Sequence, residues 1–338
     1  ATTETTNDSI GMIVTARVVG PEENTGSQGD SLKVINQSSD ETDKTFGTTE
    51  SGKTYEVGSD LGSTVGTVRL HGATDGETKS TVDLKGHSGF ALGDGTSLGL
   101  KDVKLTGNET LASVSGNGVS VDIEDAYIDG NVAGSVKYDV TIHGDDVTTL
   151  NGTFTKADTR LTSGTLKFKT DTFADGEDTL RAEGGTLALN NSLLEDYKIT
   201  KLTSDSAAKY GIDIDLTNKK ADTIEVASGS SGIVMLDSLT FLTDSIKDSD
   251  LNSEYKIQIL KTPSDVLQLG LSDAVRRQLA EEYVIGKEVS TRRDYVQTYN
   301  DWDDGFYNYK TETEIKGKLD LATTETTNDS IGMIVTAR

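Results

Sequence analysis

The sequence predicts an all-β protein whose main body is a parallel, right-handed β-solenoid, with a short α-helix and a β-hairpin near the C-terminal end. The first observation is that short runs of alternating apolar and polar residues recur along the chain. The second is that these runs are bounded by Gly, Asn and Asp, while Pro occurs only 2 times in the whole sequence. Modules of the β-sandwich type are the alternative, because sandwiches also use short alternating strands.

The two ends of the chain carry the same segment. Residues Ala1 to Arg17, ATTETTNDSIGMIVTAR, recur without change as Ala322 to Arg338. So long an identity is not coincidence, and the repeating object is therefore a whole unit of which residues 322–338 begin the next tandem copy. An engineered overlap is one alternative explanation. Another is that the segment is a strand donated to a neighbouring subunit.

The duplicated segment has the pattern of a β-strand with one apolar face. Three of its alternate positions carry large apolar side chains, and alternate side chains of a strand point to the same face. We therefore predict an assembly strand whose apolar positions are Ile10, Met12 and Val14 in the first copy and Ile331, Met333 and Val335 in the second.

Composition excludes several classes of function. The net charge of -24 repels phosphate backbones, so no nucleic-acid partner is expected. No apolar run is long enough for a membrane span, so this segment is not expected to insert into a membrane. With 0 Cys there is neither a disulfide framework nor a thiolate. Acidic, Cys-free chains rich in Gly, Thr and Ser are common among microbial surface proteins, which favours an extracellular or cell-surface location.

The first two predicted segments are the N-terminal segment and the solenoid. Residues 1–60 combine the first strand with turn-rich sequence, in which SLKVIN at 31–36 is a further short strand. Residues 61–262 hold the regular runs that predict the solenoid. With coils of about 22 residues and strands about 4.8 Å apart, this part is expected to form about nine coils.

One stretch within the solenoid resembles a known family. Residues 161–192, LTSGTLKFKTDTFADGEDTLRAEGGTLALNNS, resemble the passenger region of autotransporters and of giant bacterial surface adhesins. Those families pair TSGTL-like and GGTLAL-like strands with turns rich in Asp and Asn, and the resemblance covers roughly residues 80–240. It implies a pectin-lyase-like β-helix and an extracellular adhesive or scaffolding role.

The pattern changes after the solenoid. Residues 263–287 predict a helix with Ser272 as its N-cap, Val275, Leu279 and Tyr283 on one face, and Gly286 as its end. Residues 288–321 predict an aromatic-rich hairpin whose turn contains Asp304-Gly305. The chain then continues directly into residues 322–338, so no Gly/Ser or Pro linker separates the units and adjacent units are expected to be rigidly joined.

Two acidic clusters are candidates for a Ca²⁺ site, and Ca²⁺ is the only cofactor that the sequence suggests. The first is Asp248, Asp250, Asn252 and Glu254, which departs from the EF-hand pattern because Ser253 stands where Gly is needed. The second is Asp301, Asp303 and Asp304. The alternatives are an ordinary polar turn for the first cluster and an acidic hairpin tip for the second.

Catalytic signals are weak, and the chain is predicted not to be an enzyme. The carboxylates Asp122, Glu124 and Asp125 lie close in sequence, but a chain with 56 acidic residues produces such groups by accident. His71, His87 and His143 have no metal-ligand spacing and are expected in turns. Aromatic side chains that would stack on sugar rings if exposed, or pack within the hairpin, are Tyr295, Tyr299, Trp302, Phe306, Tyr307 and Tyr309.

The duplication and the composition together predict function only at a coarse level. The leading hypothesis is a repeated structural module of an extracellular fibre, adhesin or surface layer, with further copies of the same unit as partners. A carbohydrate-binding or polysaccharide-degrading β-helix protein, with surface glycans as partners, is the first alternative. A self-assembling filament subunit that donates residues 1–17 as a strand is the second.

Overall fold

The computed structural model describes residues 18–19, 33–37, 43–58, 60–64, 66–243, 254–263, 266–280, 282–296, 305–326 and 330–337. The strands of the first part are β1 (Val18–Val19), β2 (Lys33–Gln37), β3 (Asp43–Gly47), β4 (Thr54–Glu56), β5 (Gly62–Thr64), β6 (Thr67–His71), β7 (Ser80–Asp83), β8 (Phe90–Leu92), β9 (Ser97–Lys101), β10 (Val103–Thr106), β11 (Thr110–Val114), β12 (Ser120–Glu124), β13 (Tyr127–Ile128), β14 (Asn131–His143) and β15 (Val147–Leu150).

The second part contains the remaining strands and a helix. The elements are β16 (Phe154–Leu161), β17 (Thr165–Phe168), β18 (Thr179–Ala182), β19 (Thr186–Ala188), β20 (Asp196–Ile199), β21 (Leu202–Ser204), β22 (Lys209–Asp215), β23 (Lys220–Ala221), β24 (Thr223–Val226), β25 (Ser231–Thr243), β26 (Glu254–Lys261), β27 (Leu267–Leu271), α1 (Asp273–Leu279), β28 (Glu282–Val296), β29 (Gly305–Thr326) and β30 (Ser330–Ala337). No helix in this described part is long and apolar enough to cross a membrane.

The main body is a parallel β-solenoid, as the sequence predicts. Each coil contributes three short strands, and each strand pairs in parallel with the equivalent strand of the next coil. The coil β6, β7, β8, for example, pairs with the coil β9, β10, β11. The stack has about eight turns. The β-sandwich alternative is therefore wrong, because a sandwich is built from antiparallel strands.

Coil length varies around the predicted value. Val147 pairs with Thr165 at the shortest step, which makes that coil 18 residues long. Ile224 pairs with Leu260 at the longest step, which makes that coil 36 residues long.

Stacked apolar columns form the core. On the first face the aligned positions run from Val68 through Leu98 and Val121 to Val140, and all four side chains are buried. On the second face a column runs in the same way from Val82 to Leu150. Alternation along each strand thus places one apolar layer inside every coil, and each coil buries it against its neighbours.

Single residues in the left-handed region turn the chain from the first face to the second. Asp102 has φ 52° between β9 and β10, and Asp125 has φ 50° at the same corner one coil later. Asp tolerates this conformation better than most residues do. The amide of Asp102 donates to the carbonyl of Glu124 at 3.0 Å, so the corner keeps its ladder hydrogen bond.

The structure changes the predicted bounds of the solenoid. β3, β4 and β5 already form its first coil, since they pair in parallel with β6, β7 and β8, so it begins at Asp43 and not at residue 61. At the other end β27 still pairs with β25, so the stack continues past residue 262. Turn-rich sequence concealed the first coil, because its strands are short and its loops are polar.

The helix α1 covers the end of the stack but is shorter than predicted. Ser272 caps it as expected, accepting the amide of Val275 at 3.3 Å, and Val275 and Leu279 are buried. The prediction that the helix includes Tyr283 and ends at Gly286 is wrong, because both residues lie in β28. Tyr283 is paired there with Gly317, so the long ladder with β29 takes these residues out of the helix.

The predicted hairpin is present and longer than expected. β28 pairs antiparallel with β29 from Glu282 and Lys318 to Val296 and Gly305. The prediction of a two-residue turn at Asp304-Gly305 is wrong, since Gly305 is itself a ladder residue that faces Val296. The aromatic residues Tyr299 and Trp302 lie outside the described residues.

Candidate assembly interface

The structure describes most of the second copy of the duplicated segment but not the first. The first copy, with Ile10, Met12 and Val14, lies outside the described residues. The second copy supplies the last residues of β29, 322–326, and all of β30. The predicted strand is thus found in the second copy.

β30 is an interior strand of the C-terminal sheet. The order of this sheet is β20, β24, β26, β30, β29, β28. β30 runs antiparallel to β26 on one side, where Met333 faces Ile257, and antiparallel to β29 on the other, where Met333 faces Thr324. This sheet is joined to the solenoid through the third strand position of each coil. Ile199 of β20 pairs in parallel with Phe173 of the preceding coil, and β20 pairs in parallel with β24. Removing β30 would leave two unpaired edges, which makes the duplicated segment a part of the folded unit.

The apolar positions of β30 enter the protein core. Ile331 is 2% exposed and Met333 is 0% exposed. Both belong to the same buried cluster as Ile257 and Leu260 of β26. Full burial of such side chains contributes about 1.5–3 kcal/mol each. The predicted position Val335 lies in β30 opposite Tyr255, and its side chain lies outside the described residues.

A close backbone approach restricts which sequence can occupy the place of β30. A Cβ atom at Gly332 would lie 2.4 Å from the carbonyl oxygen of Ile257 and 3.1 Å from the Cα atom of Gln258. Real Cβ atoms do not approach backbone this closely, so only Gly fits at this position. The pairing with β26 also shifts register between Gln258 and Leu260, which fixes where the strand sits.

A cationic groove lies beside the start of β30. It has a volume of about 670 Å³. Its lining includes Ser330 and Gln258 as well as the lysines Lys219, Lys220, Lys256 and Lys261. Lys261 contacts Asp196 at 3.0 Å. The hydroxyl of Thr223 and the ammonium of Lys261 lower the pKa of Asp196, which keeps this carboxylate ionised in the groove. Four lysines around one groove are unusual in a chain of net charge -24.

The calcium candidates stay predictions. Asp248, Asp250 and Asn252 lie outside the described residues, as do Asp301, Asp303 and Asp304. Glu254 is the first residue of β26, opposite Thr336. Within the described ranges, no group of three or more His, Asp or Glu side chains could hold a metal ion.

The carboxylates of the acidic trio in β12 and the following corner each contact a different group. Asp122 contacts the Nε2 atom of His143 at 3.1 Å, and Glu124 contacts Lys101 at 2.7 Å. Asp125 accepts the amide of Asp146 at 2.9 Å and so holds the turn of the next coil. Each carboxylate therefore has its own structural partner on a neighbouring coil.

Two of the three histidines are placed differently from the prediction of turn positions. His71 and His143 are the last residues of β6 and β14, and only His87 lies in a turn. Burial lowers the pKa of His71, with the neighbouring cation Lys101 adding to the effect.

Sequence reasoning missed a set of buried carboxylates in the second half of the stack. Asp213 is fully buried, and its Oδ2 atom accepts the amides of Asn191 at 2.8 Å and Ser192 at 2.7 Å. Asp222 accepts the amide of Asp213 at 2.7 Å, and burial raises its pKa to about 6. Burial also raises the pKa of Asp178 to about 7. These residues support loop backbone, and their spacing in the sequence carried no signal.

No protein-family model matches this chain. No curated protein matches it either. Among solved structures it is similar to the crystal structure of the Haemophilus influenzae Hap adhesin, at 13% sequence identity and a TM-score of 0.34. The match covers 80% of this chain and 30% of the adhesin chain. The β-solenoid fold that the family resemblance implied is confirmed by the strand pairing of the structure itself.

Proposed function

We propose that this chain is a repeated structural module of an extracellular fibre, adhesin or surface layer, and that it serves to extend or attach a cell surface. The observation that carries the proposal is the position of the second copy of the duplicated segment. β30 is hydrogen-bonded on both sides within one unit, yet its sequence is the one that begins the unit. In the proposed array, the segment that starts each unit completes the sheet of the preceding unit.

This arrangement favours a rigid array over a chain of loosely tethered beads. A flexible linker between units would leave their orientations free. Here the junction is a strand whose apolar side chains Ile331 and Met333 are buried in the preceding unit. Only residues 327–329 lie between β29 and β30 in the sequence, so the connection between these strands is short. A stack of solenoids joined in this way transmits load along its length.

The composition agrees with a surface location. With 0 Cys the fold does not depend on the redox state of its surroundings. The parallel ladders hold the coils together without disulfides, and the high negative charge keeps the surface soluble and opposes lateral aggregation. Short polar loops leave few exposed large apolar side chains among the described residues, of which Leu193 and Val266 are the ones found.

Imaging of the native protein tests the proposal. Electron micrographs of surface material from the producing cells are expected to show continuous or beaded fibres, or a layer, with an axial repeat that equals the length of one unit. Antibodies against the solenoid should decorate this material at every repeat. A native protein that is soluble, monomeric and made of one unit would contradict the proposal.

A further inference from the structure

The place of β30 accepts only one strand at a time, and the chain contains two identical strands that fit it. β30 fills the gap between β26 and β29, with Ile331 and Met333 buried and Gly332 against the Ile257 carbonyl. Residues 1–17 offer Ile10, Gly11 and Met12 in the same order. The first copy therefore meets each steric and apolar requirement that the second copy meets.

The two ends of the molecule are placed for assembly in a line. Residues 1–17 lead into β1, which pairs with β4 in the first coil, where Val18 faces Tyr55. The gap filled by β30 lies beside β26, in the last full coil. β1, which directly follows residues 1–17 in the sequence, and the gap filled by β30 are thus at opposite ends of the stack. Contacts between different surfaces of successive copies give open filaments, whereas a self-complementary contact would give a closed dimer.

We propose that a second copy of this chain is the partner of this site, and that its residues 1–17 insert between β26 and β29 in place of β30. The inference rests on the proposed function, because it supplies a non-covalent way of joining the units of a fibre. The chain's own β30 competes with the incoming strand and is favoured by its short connection to β29. Assembly between chains therefore requires β30 to be released or weakened.

The test weakens the chain's own strand and leaves the donated strand intact. Gly332→Val in the full-length chain places a side chain against the Ile257 carbonyl, while Gly11 in the first copy is unchanged. We expect the unaltered chain to be monomeric by size-exclusion chromatography with light scattering. The variant is expected to show at least a two-fold higher mass, in a ladder of multiples, with the same far-UV circular dichroism.

A matched variant identifies the donated strand. Gly11→Val combined with Gly332→Val blocks both copies, so this chain is expected to stay monomeric. A monomeric Gly332→Val chain with an intact β-sheet spectrum would overturn the inference, as would equal assembly of the double variant. If Gly332→Val alone loses its β-sheet spectrum, a synthetic peptide of residues 1–17 should restore it. A peptide with no effect would likewise overturn the inference.

The register of insertion is tested by an engineered disulfide. Val335 faces Tyr255 in the ladder, so Val14 of an incoming strand should face the same residue. The chain has 0 Cys, so Val14→Cys with Tyr255→Cys introduces the only thiols. In the Gly332→Val background we expect disulfide-linked oligomers on a non-reducing gel. Their absence from assembled material would refute this register and with it the proposed site.

The outcomes separate this inference from the proposed function. Native fibres together with a Gly332→Val chain that stays monomeric would mean that units are joined only through the polypeptide, which rejects strand insertion and leaves the structural role. Strand-linked oligomers in a protein that forms no native fibre or layer would reject the structural role and keep the insertion site.

Discussion

The substitution Phe173→Ala tests whether aromatic packing inside the stack holds successive coils together. Phe173 is 0% exposed and continues the third face between Phe154 and Ile199. Its ring lies 5.2 Å from the ring of Phe168 in an edge-to-face arrangement and 6.4 Å from the ring of Phe154. The position is therefore surrounded by rings that cannot easily move inward to fill a gap.

The expected loss is large because the cavity is enclosed. Removing a buried Phe side chain costs about 3–5 kcal/mol, which combines lost transfer free energy with the cavity that remains. In a solenoid each coil is stabilised by its neighbours, so a defect in the middle of the stack weakens both halves. We expect the upper part of this range, since the edge-to-face contact contributes about 0.5–1.5 kcal/mol beyond burial.

Urea unfolding followed by far-UV circular dichroism measures the effect. The control is Leu193→Ala, because this side chain is 61% exposed and its removal should change the free energy of unfolding by no more than about 0.5 kcal/mol. Phe173→Leu should fall between the two, since it keeps part of the volume. A loss below about 1 kcal/mol for Phe173→Ala would refute the reasoning that the ring fills an enclosed part of the core.

Three further predictions follow from the described contacts. Burial raises the pKa of Asp178 to about 7 and that of Asp222 to about 6. The folded state therefore binds these protons more tightly than the unfolded state, and this stabilisation is lost as the pH rises through the two values. The melting temperature should fall between pH 5 and pH 8, and a rise over this interval would contradict the assignment. Gly232→Ala should lower the free energy of unfolding by at least about 2 kcal/mol, because φ is +104° and a Cβ atom would lie 1.9 Å from a carbonyl oxygen of the preceding coil. The control is Gly76→Ala, where φ is +92° but the surrounding space is open, so only the backbone conformation is penalised and the loss should be smaller. Arg181→Ala removes an exposed two-point ion pair and should cost at most about 1 kcal/mol by the same measurement, and an effect that does not shrink at high salt would contradict this.

The local pattern of apolar and polar residues was enough to predict the repeating strands of the solenoid. Alternation in TVRLH and SLGLK predicts strands with one buried face, and the structure stacks Val68 on Leu98 and Leu70 on Leu100 accordingly. The scarcity of Pro and the Gly-bounded turns favoured coils over sandwich loops. Ser272 was identified as a helix cap because capping depends on a few adjacent residues.

Other features depended on partners far away in the sequence. The helix ends at Leu279 because the residues from Glu282 onward pair with β29, and no local signal in EYVIG contains that partner. Asp178, Asp213 and Asp222 are buried and accept backbone amides from residues 20 or more positions earlier, which come close only when the coils are stacked. The pKa values of Asp178 and Asp222 are raised by this burial, which only the packed coils produce.

The sequence by itself determined that the chain is a β-solenoid and that one strand sequence occurs twice. The first fact follows from the alternation of apolar and polar residues, and the second from the identity of residues 1–17 and 322–338. Only the tertiary structure decided where that strand belongs. Its neighbours β26 and β29 are brought together by the coil stack and the hairpin, and the fit of Gly332 against Ile257 exists only once both are in place. A strand's pattern specifies which face is buried, whereas its position in a sheet is set by the edges that the rest of the fold leaves open.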